Sequence, residues 1–97
     1  MASARAKHIL VQDPVFCEDV KKQIESGELT FEEAASRYSS CPSSAAGGDL
    51  GTFSPGQMVP EFDKVVFSQE VGKIHGPIST QFGFHLILID SRENWYL

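Results

Sequence analysis

Two histidines, a cysteine and three large apolar side chains are the residues whose types could do chemistry. His8 and His85 lie in separate runs of branched and aromatic residues, and Cys41 sits in a segment of small ones. Met58, Phe62 and Phe82 stand near turn signals. An imidazole beside a thiol is the pairing of cysteine nucleophiles, with Cys41 attacking and His85 as base. Nothing in the sequence marks an oxyanion hole or a third group to orient the imidazole, so that reading has little support. Each residue also has a plainer reading. A histidine inside a strand is more often structural than catalytic, a Met or Phe beside a helix start is usually core, and Cys41 alone could be an inert buried thiol.

The elements that must position these residues follow from pattern. Ala6 to Gln12 is a short apolar run bounded by a turn signal and reads as a strand. Asp13-Pro14 opens a helix as N-cap and first helical residue, Phe16, Val20 and Ile24 form its apolar stripe, and Gly27 ends it. Thr30 and Glu33 are spaced as a capping box for a second helix bearing Phe31, Ala34, Ala35 and Tyr38. Residues 39–48 are small and flexible and read as a functional loop rather than a linker. Leu50 to Phe53 is a brief strand, Pro55-Gly56 a turn, and Pro60 to Ser68 a third helix with Phe62, Val65 and Val66 apolar. Lys73 to Ser79 is extended but broken by Gly76-Pro77, which suits an edge strand. Phe82 to Asp90 is the strongest strand, with His85, Ile87 and Ile89 on one face and Phe84, Leu86 and Leu88 on the other. A tight connection at residues 79–83 joins the last two strands as an antiparallel hairpin. The expected class is α+β, a small antiparallel sheet with helices packed on it.

Bulk properties bound the function. Ninety-seven residues, 41% of them hydrophobic and 22% charged, fit one domain with one core. A net charge of −5 argues against nucleic acid as a partner, because displacing phosphate counterions needs clustered Lys and Arg. No apolar run approaches the roughly 20 residues of a membrane helix. The start, from Met1 to Lys7, lacks the apolar stretch of a signal peptide, which points to the cytoplasm. Cys17 and Cys41 make neither a disulfide framework nor a metal-ligand spacing, so no metal is expected.

Taken together, five segments resemble the parvulin isomerases in order and spacing. They are His8-Ile9-Leu10-Val11, Ser39-Ser40-Cys41-Pro42-Ser43, Gly47-Gly48-Asp49-Leu50-Gly51, Gly56-Gln57-Met58-Val59-Pro60-Glu61-Phe62 and Thr80-Gln81-Phe82-Gly83-Phe84-His85. The resemblance runs from about Lys7 to Arg92, within a single domain over 1–97 whose core is about 5–92.

It implies a four-stranded antiparallel sheet surrounded by about four helices, with the groove on the sheet's concave side. It also implies a peptidyl-prolyl cis/trans isomerase that assists protein folding without cofactor, metal or covalent intermediate. Met58, Phe62 and Phe82 would take the proline ring, with Leu50 at the rim. His8 and His85 would be paired beneath the groove, and Cys41 and Thr80 would complete the polar cluster. Gln57 and Ser40 would be neighbours without a firm role. Two neutral imidazoles can hydrogen-bond each other, since each offers one donor and one acceptor. The expected partners are proline-containing polypeptides, met by a monomer. Members that prefer phosphorylated Ser or Thr before proline carry a basic cluster after the first strand. Here that stretch is Gln12-Asp13-Pro14-Val15-Phe16, with no cation to meet a phosphate. The alternative reading is a module that binds proline segments as a chaperone with little turnover.

Overall fold

The computed structural model describes residues 2–94; positions 1 and 95–97 of the expected domain lie outside the described residues. The elements are β1 (Ala2–Val11), α1 (Pro14–Glu25), α2 (Phe31–Tyr38), a 3₁₀ turn (Pro42–Ala46), β2 (Asp49–Phe53), α3 (Pro60–Val66), β3 (Ile74–Thr80) and β4 (Gly83–Asn94). The four strands form one antiparallel sheet in the order β2-β1-β4-β3, so β1 and β4 are central. Among the described residues three α-helices and one 3₁₀ turn surround it, against the expected about four helices. The difference lies in 42–46, read from sequence as loop. Pro42 opens a turn of small residues there, closed by Gly47 in the left-handed region.

Both central strands outrun their local signals. β1 begins at Ala2 and β4 ends at Asn94 because these extensions pair with each other, Ser3 opposite Glu93 and Arg5 opposite Ser91. Pairing rather than intrinsic propensity makes residues 2–5 and 91–94 strand. The helix starts follow their caps. Asp13 accepts from the Val15 N–H at 3.1 Å, and Thr30 and Glu33 close both bonds of the capping box at 3.0 and 3.1 Å. Helix α1 ends at Ser26 as C-cap, with Gly27 just beyond it at φ 86°. Helix α3 ends two residues earlier than expected, at Val66. Arg92 of β4 donates to the freed carbonyls of Val66 and Gln69, which ties that helix to the sheet.

The sheet's alternation separates two clusters. Ile9, Val11 and Leu86 face α1 and α2, packing with Val20, Phe31, Ala34 and the wholly buried Cys17. Ala4, Ala6, Ile87 and Ile89 face the other way, toward Phe53 and toward Phe62 and Val66 of α3. The even residues of β1 and the odd residues of β4 share this second face, and they include His8 and His85.

Gly48 brings the segment after the 3₁₀ turn against β1. Its φ is +87°, its carbonyl accepts from the His8 N–H at 3.0 Å, and a Cβ there would lie 2.6 Å from the His8 carbonyl and 3.1 Å from Ala35. Gly51, at φ +72°, has open space around it. Gly51→Ala should therefore cost about 1 kcal/mol from backbone strain alone, and Gly48→Ala at least about 2 kcal/mol because a clash is added. Urea denaturation of the two variants checks the difference.

Candidate active site

The central strands place two imidazoles side by side on the face that α1 and α2 do not cover. His8 pairs in register with Ile87, and His85 with Leu10, so the histidines are diagonal neighbours across β1 and β4. Their rings stack at 5.3 Å with 20° between planes, and Nδ1 of one lies 3.1 Å from Nδ1 of the other. In β3, Ile78 pairs with His85, which puts Thr80 on the same face. Thr80 Oγ1 lies 2.7 Å from His85 Nε2 and accepts from the Phe82 N–H at 3.1 Å. A polar line thus runs His8–His85–Thr80 across three strands.

Both imidazoles are buried, 6% and 4% exposed. Desolvation pushes His8 down to about 4, with the neighbouring His85 adding to the effect. Burial also lowers His85, opposed by the carboxylate of Glu61. Near neutral pH neither ring is charged, so the Nδ1–Nδ1 contact carries one proton. One direction satisfies both nitrogens of His85 and the hydroxyl of Thr80. The Thr80 hydroxyl donates to His85 Nε2, His85 Nδ1–H donates to His8 Nδ1, and His8 keeps its proton on Nε2. The reverse leaves the Thr80 proton unmatched as well as a buried lone pair. In either direction His8 Nε2 has no hydrogen-bond partner among the described residues.

Above this floor is a cavity of about 350 Å³. Leu10, Ser40, Cys41, Pro42, Leu50, Met58, Val59, Phe62 and Phe82 line it together with the two imidazoles. Phe62 meets both rings edge-on, at 5.5 Å from His8 and 5.9 Å from His85. Phe82 is half exposed, at 53%. Ser40 is held by Leu10, whose carbonyl accepts from the Ser40 N–H at 2.9 Å and its hydroxyl at 3.1 Å.

Of the residues singled out in the sequence, His8, His85, Cys41, Ser40, Leu50, Met58, Phe62 and Phe82 all line this cavity. Thr80 joins through its bond to His85. Gln57 does not: its side chain turns back to accept from the Ser54 N–H at 2.6 Å in the turn before α3. Leu10, Pro42 and Val59 were missed. For Leu10 the signal was there, since it stands two residues from His8 and so on the same face. Cys41 binds through its backbone, whose N–H donates to Ser39 Oγ at 3.3 Å, and no hydrogen bond links its thiol to either imidazole among the described residues. Cys17 is a packing thiol, pushed up to about 11 by burial and by Glu18 against the pull of Lys21.

A family model described as the rotamase, PPIC-type PPIase domain matches residues 16–91. This chain belongs to the PPIC-type peptidyl-prolyl isomerase family. It is 42% identical over 90 residues to the foldase protein PrsA of Geobacillus kaustophilus, which covers 92% of this chain and 32% of that protein. It therefore spans about a third of the length of that curated relative. The crystal structure of PrsA from Bacillus anthracis superposes with a TM-score of 0.93 at 33% identity, covering 99% of this chain and 44% of that one. NmPin, the parvuline of Nitrosopumilus maritimus, superposes at 0.80 with 31% identity, over 92% and 96% of the two chains. The fold is thus the parvulin fold expected from the five motifs. No helix among the described residues is long and apolar enough to cross a membrane, and none of their His, Cys, Asp and Glu side chains group as a metal site.

The histidine burial gives a stability profile with a definite sign. A group whose folded pKa is depressed contributes stability that is complete above its unfolded value, near 6.5, and is lost as pH falls toward the folded value of about 4. Unfolding free energy should drop by about 1.4 kcal/mol per pH unit between pH 6.5 and 5, where carboxylates remain ionised. Urea titrations across that window check it, and His8→Gln should flatten the slope.

Proposed function

We propose that this domain, over residues 1–97, accelerates rotation about X-Pro bonds by holding the proline ring between Met58, Phe62 and Phe82 and letting the preceding carbonyl swing over the polar floor. The observation that carries the reading is one cavity lined by Met58, Phe62 and Phe82 together with the buried, paired imidazoles of His8 and His85. Twisting a prolyl amide costs near 20 kcal/mol, and X-Pro bonds left alone exchange over tens to hundreds of seconds. Turnover in about ten milliseconds needs the barrier lowered by roughly 5–6 kcal/mol. No bond to a heavy atom forms or breaks, so the site has only to favour the twisted amide over both planar forms.

A twisted amide has lost resonance and with it much of its dipole. A lining dominated by apolar side chains suits that state better than it suits either planar form. Met58, Phe62 and Phe82 grip the ring, and Leu50 closes the rim. His85 and Thr80 fix the floor, because each is occupied by the other. His8 and Cys41, beside the path of the rotating carbonyl, supply polar edges that can follow it. Ser40 borders the same path, and Gln57 has no part. The route needs neither metal nor cofactor.

Substrates on this reading are proline-containing segments of folding proteins, in line with relatives named foldases and chaperones. On this reading one chain supplies both the ring pocket and the imidazole floor, and a monomer suffices. It does not select phosphorylated residues, because 12–16 holds no cation. Two free thiols suit the cytoplasm; a structural relative described as periplasmic supports the other side of a membrane. Cell fractionation decides between them.

Exchange NMR on an Ala-Pro peptide tests the activity. Met58→Ala and Phe82→Ala should each lower kcat/KM about tenfold or more, as an opened wall loses its grip on the ring. Phe62→Ala is the poorer probe: at 3% exposure it is also core, and its loss should cost about 3 kcal/mol or more of stability. Cys41→Ser should keep most of the activity. A wild-type protein that binds the peptide but leaves its exchange at the background rate would favour the chaperone reading.

A further inference from the structure

Phe82 lines the cavity yet is half in water, at 53% exposure, so packing alone holds its ring poorly. Gln81 and Phe82 connect β3 to β4, and β3 is an edge strand. A hairpin tip at the edge of a sheet is where local opening is cheapest. What keeps the Phe82 ring in place must therefore come largely through its backbone. Two side chains grip that backbone from two directions. Thr80 Oγ1 accepts from the Phe82 N–H at 3.1 Å, a bond local to the hairpin that moves with it. Gln12 Nε2 donates to the Phe82 carbonyl at 2.9 Å, from a residue 70 positions away in the chain. The second bond is the one that fastens the tip to a central strand.

Its placement follows from where β1 stops. The pairing of β1 with β4 closes at Val11 opposite Phe84, and the main chain then turns off through Asp13 into α1. Past that point the Gln12 side chain, which carries a peptide-like amide, continues the pairing by one further bond. Gly83 allows the approach, for a Cβ there would lie 2.7 Å from the Val11 carbonyl and 2.8 Å from Gln12 Nε2. Gln12 is itself exposed and is not among the residues that line the cavity. Any effect it has on a bound ring passes through Phe82.

We propose that Gln12 is a positioning residue of the prolyl site, its amide fixing the Phe82 backbone and through it the side chain that closes on the proline ring. This role rests on the proposed function above, in which Phe82 is one of three side chains that grip the ring. With Thr80 on the N–H and Gln12 on the carbonyl, Phe82 is tied both to the imidazole line of the floor and to β1. Loss of the Gln12 bond frees the tip to swing about the Thr80 bond alone. A displacement of this kind at a gripping side chain costs turnover even though the cavity and its floor stay intact.

A double-mutant cycle read by exchange NMR on an Ala-Pro peptide tests this. Gln12→Leu removes the donor at an exposed position, and Gln12→Glu keeps the shape but turns a carboxylate toward the carbonyl. Each should lower kcat/KM about fivefold. In a Phe82→Ala background the same Gln12→Leu change should cost less than about twofold, since the ring it positions is gone. Equal fold losses in the two backgrounds would show Gln12 acting on the fold at large and would overturn the positioning role, as would full activity in both Gln12 variants. Amide hydrogen exchange judges the hold on the rim without reference to turnover. Gln12→Leu should speed exchange at Phe82 about tenfold and leave Leu86 of the sheet unchanged; an unchanged rate at Phe82, or an equal rise at Leu86, sinks it. If the wild type fails to accelerate the peptide, the isomerase reading falls, and this exchange measurement alone decides whether Gln12 fixes the rim.

Discussion

Two imidazoles buried against each other on one face of a small sheet constrain everything around them. Neither ring is more than 6% exposed, and in so dry a place a charge on either would be costly. Both are therefore held neutral. Neutrality allows the single-proton contact between the two Nδ1 atoms, and the contact sets the ring planes 20° apart. Thr80 then completes the line, and the Phe82 backbone is fixed in turn because its N–H is bound to Thr80. The residue at the rim of the groove is thus tied to the residues at its floor. Such a network constrains geometry well because His85 and Thr80 each answer to two partners at once.

The sheet divides its labour by face. Toward α1 and α2, the side chains of β1 and β4 fill space with Ile9, Val11 and Leu86, and two helices close over them. Toward α3, one short helix covers only part of the surface, and the uncovered part is the cavity. Phe62 belongs to both regions, packing with Phe53 and Val66 below and meeting the imidazoles edge-on above. Arg92 matters here although it touches no part of the cavity. By taking the Val66 and Gln69 carbonyls it holds the end of α3, and hence Phe62, against β4. Removing water from one face and leaving a notch in the other is what a small domain can do with a single sheet.

Alternation, capping and turn residues made much of this readable in the sequence. The faces of residues 82–90, the cap at Asp13, the box at Thr30 and Glu33, and the edge position of 74–80 are all consequences of local chemistry. Residues 2–5 and 91–94 were not readable as strand, since what extends them is pairing with each other and, at Ala4 and Arg5, with β2. The 3₁₀ turn at 42–46 was hidden for a related reason: small residues have weak preferences, and its geometry is set by the docking of Gly48 on β1. At the site, the motifs brought forward nearly every lining residue, but not what each side chain bonds. Gln57 stands beside Met58 in sequence yet bonds to its own turn. Gln12, with no motif to mark it, reaches the rim across 70 residues of chain.

The polar floor also bears on whether this groove binds or turns over. A site meant only to hold a proline ring would gain from an apolar floor. Burying two imidazoles removes them from water, and the hydrogen bonds they make in return add only about 1 kcal/mol each. Among the described residues His8 Nε2 has no hydrogen-bond partner. Apolar side chains of similar volume would fill the place at no such cost. On the proposed function, rotation of a carbonyl past their edges is the process that would use these groups, whereas binding alone would leave them idle.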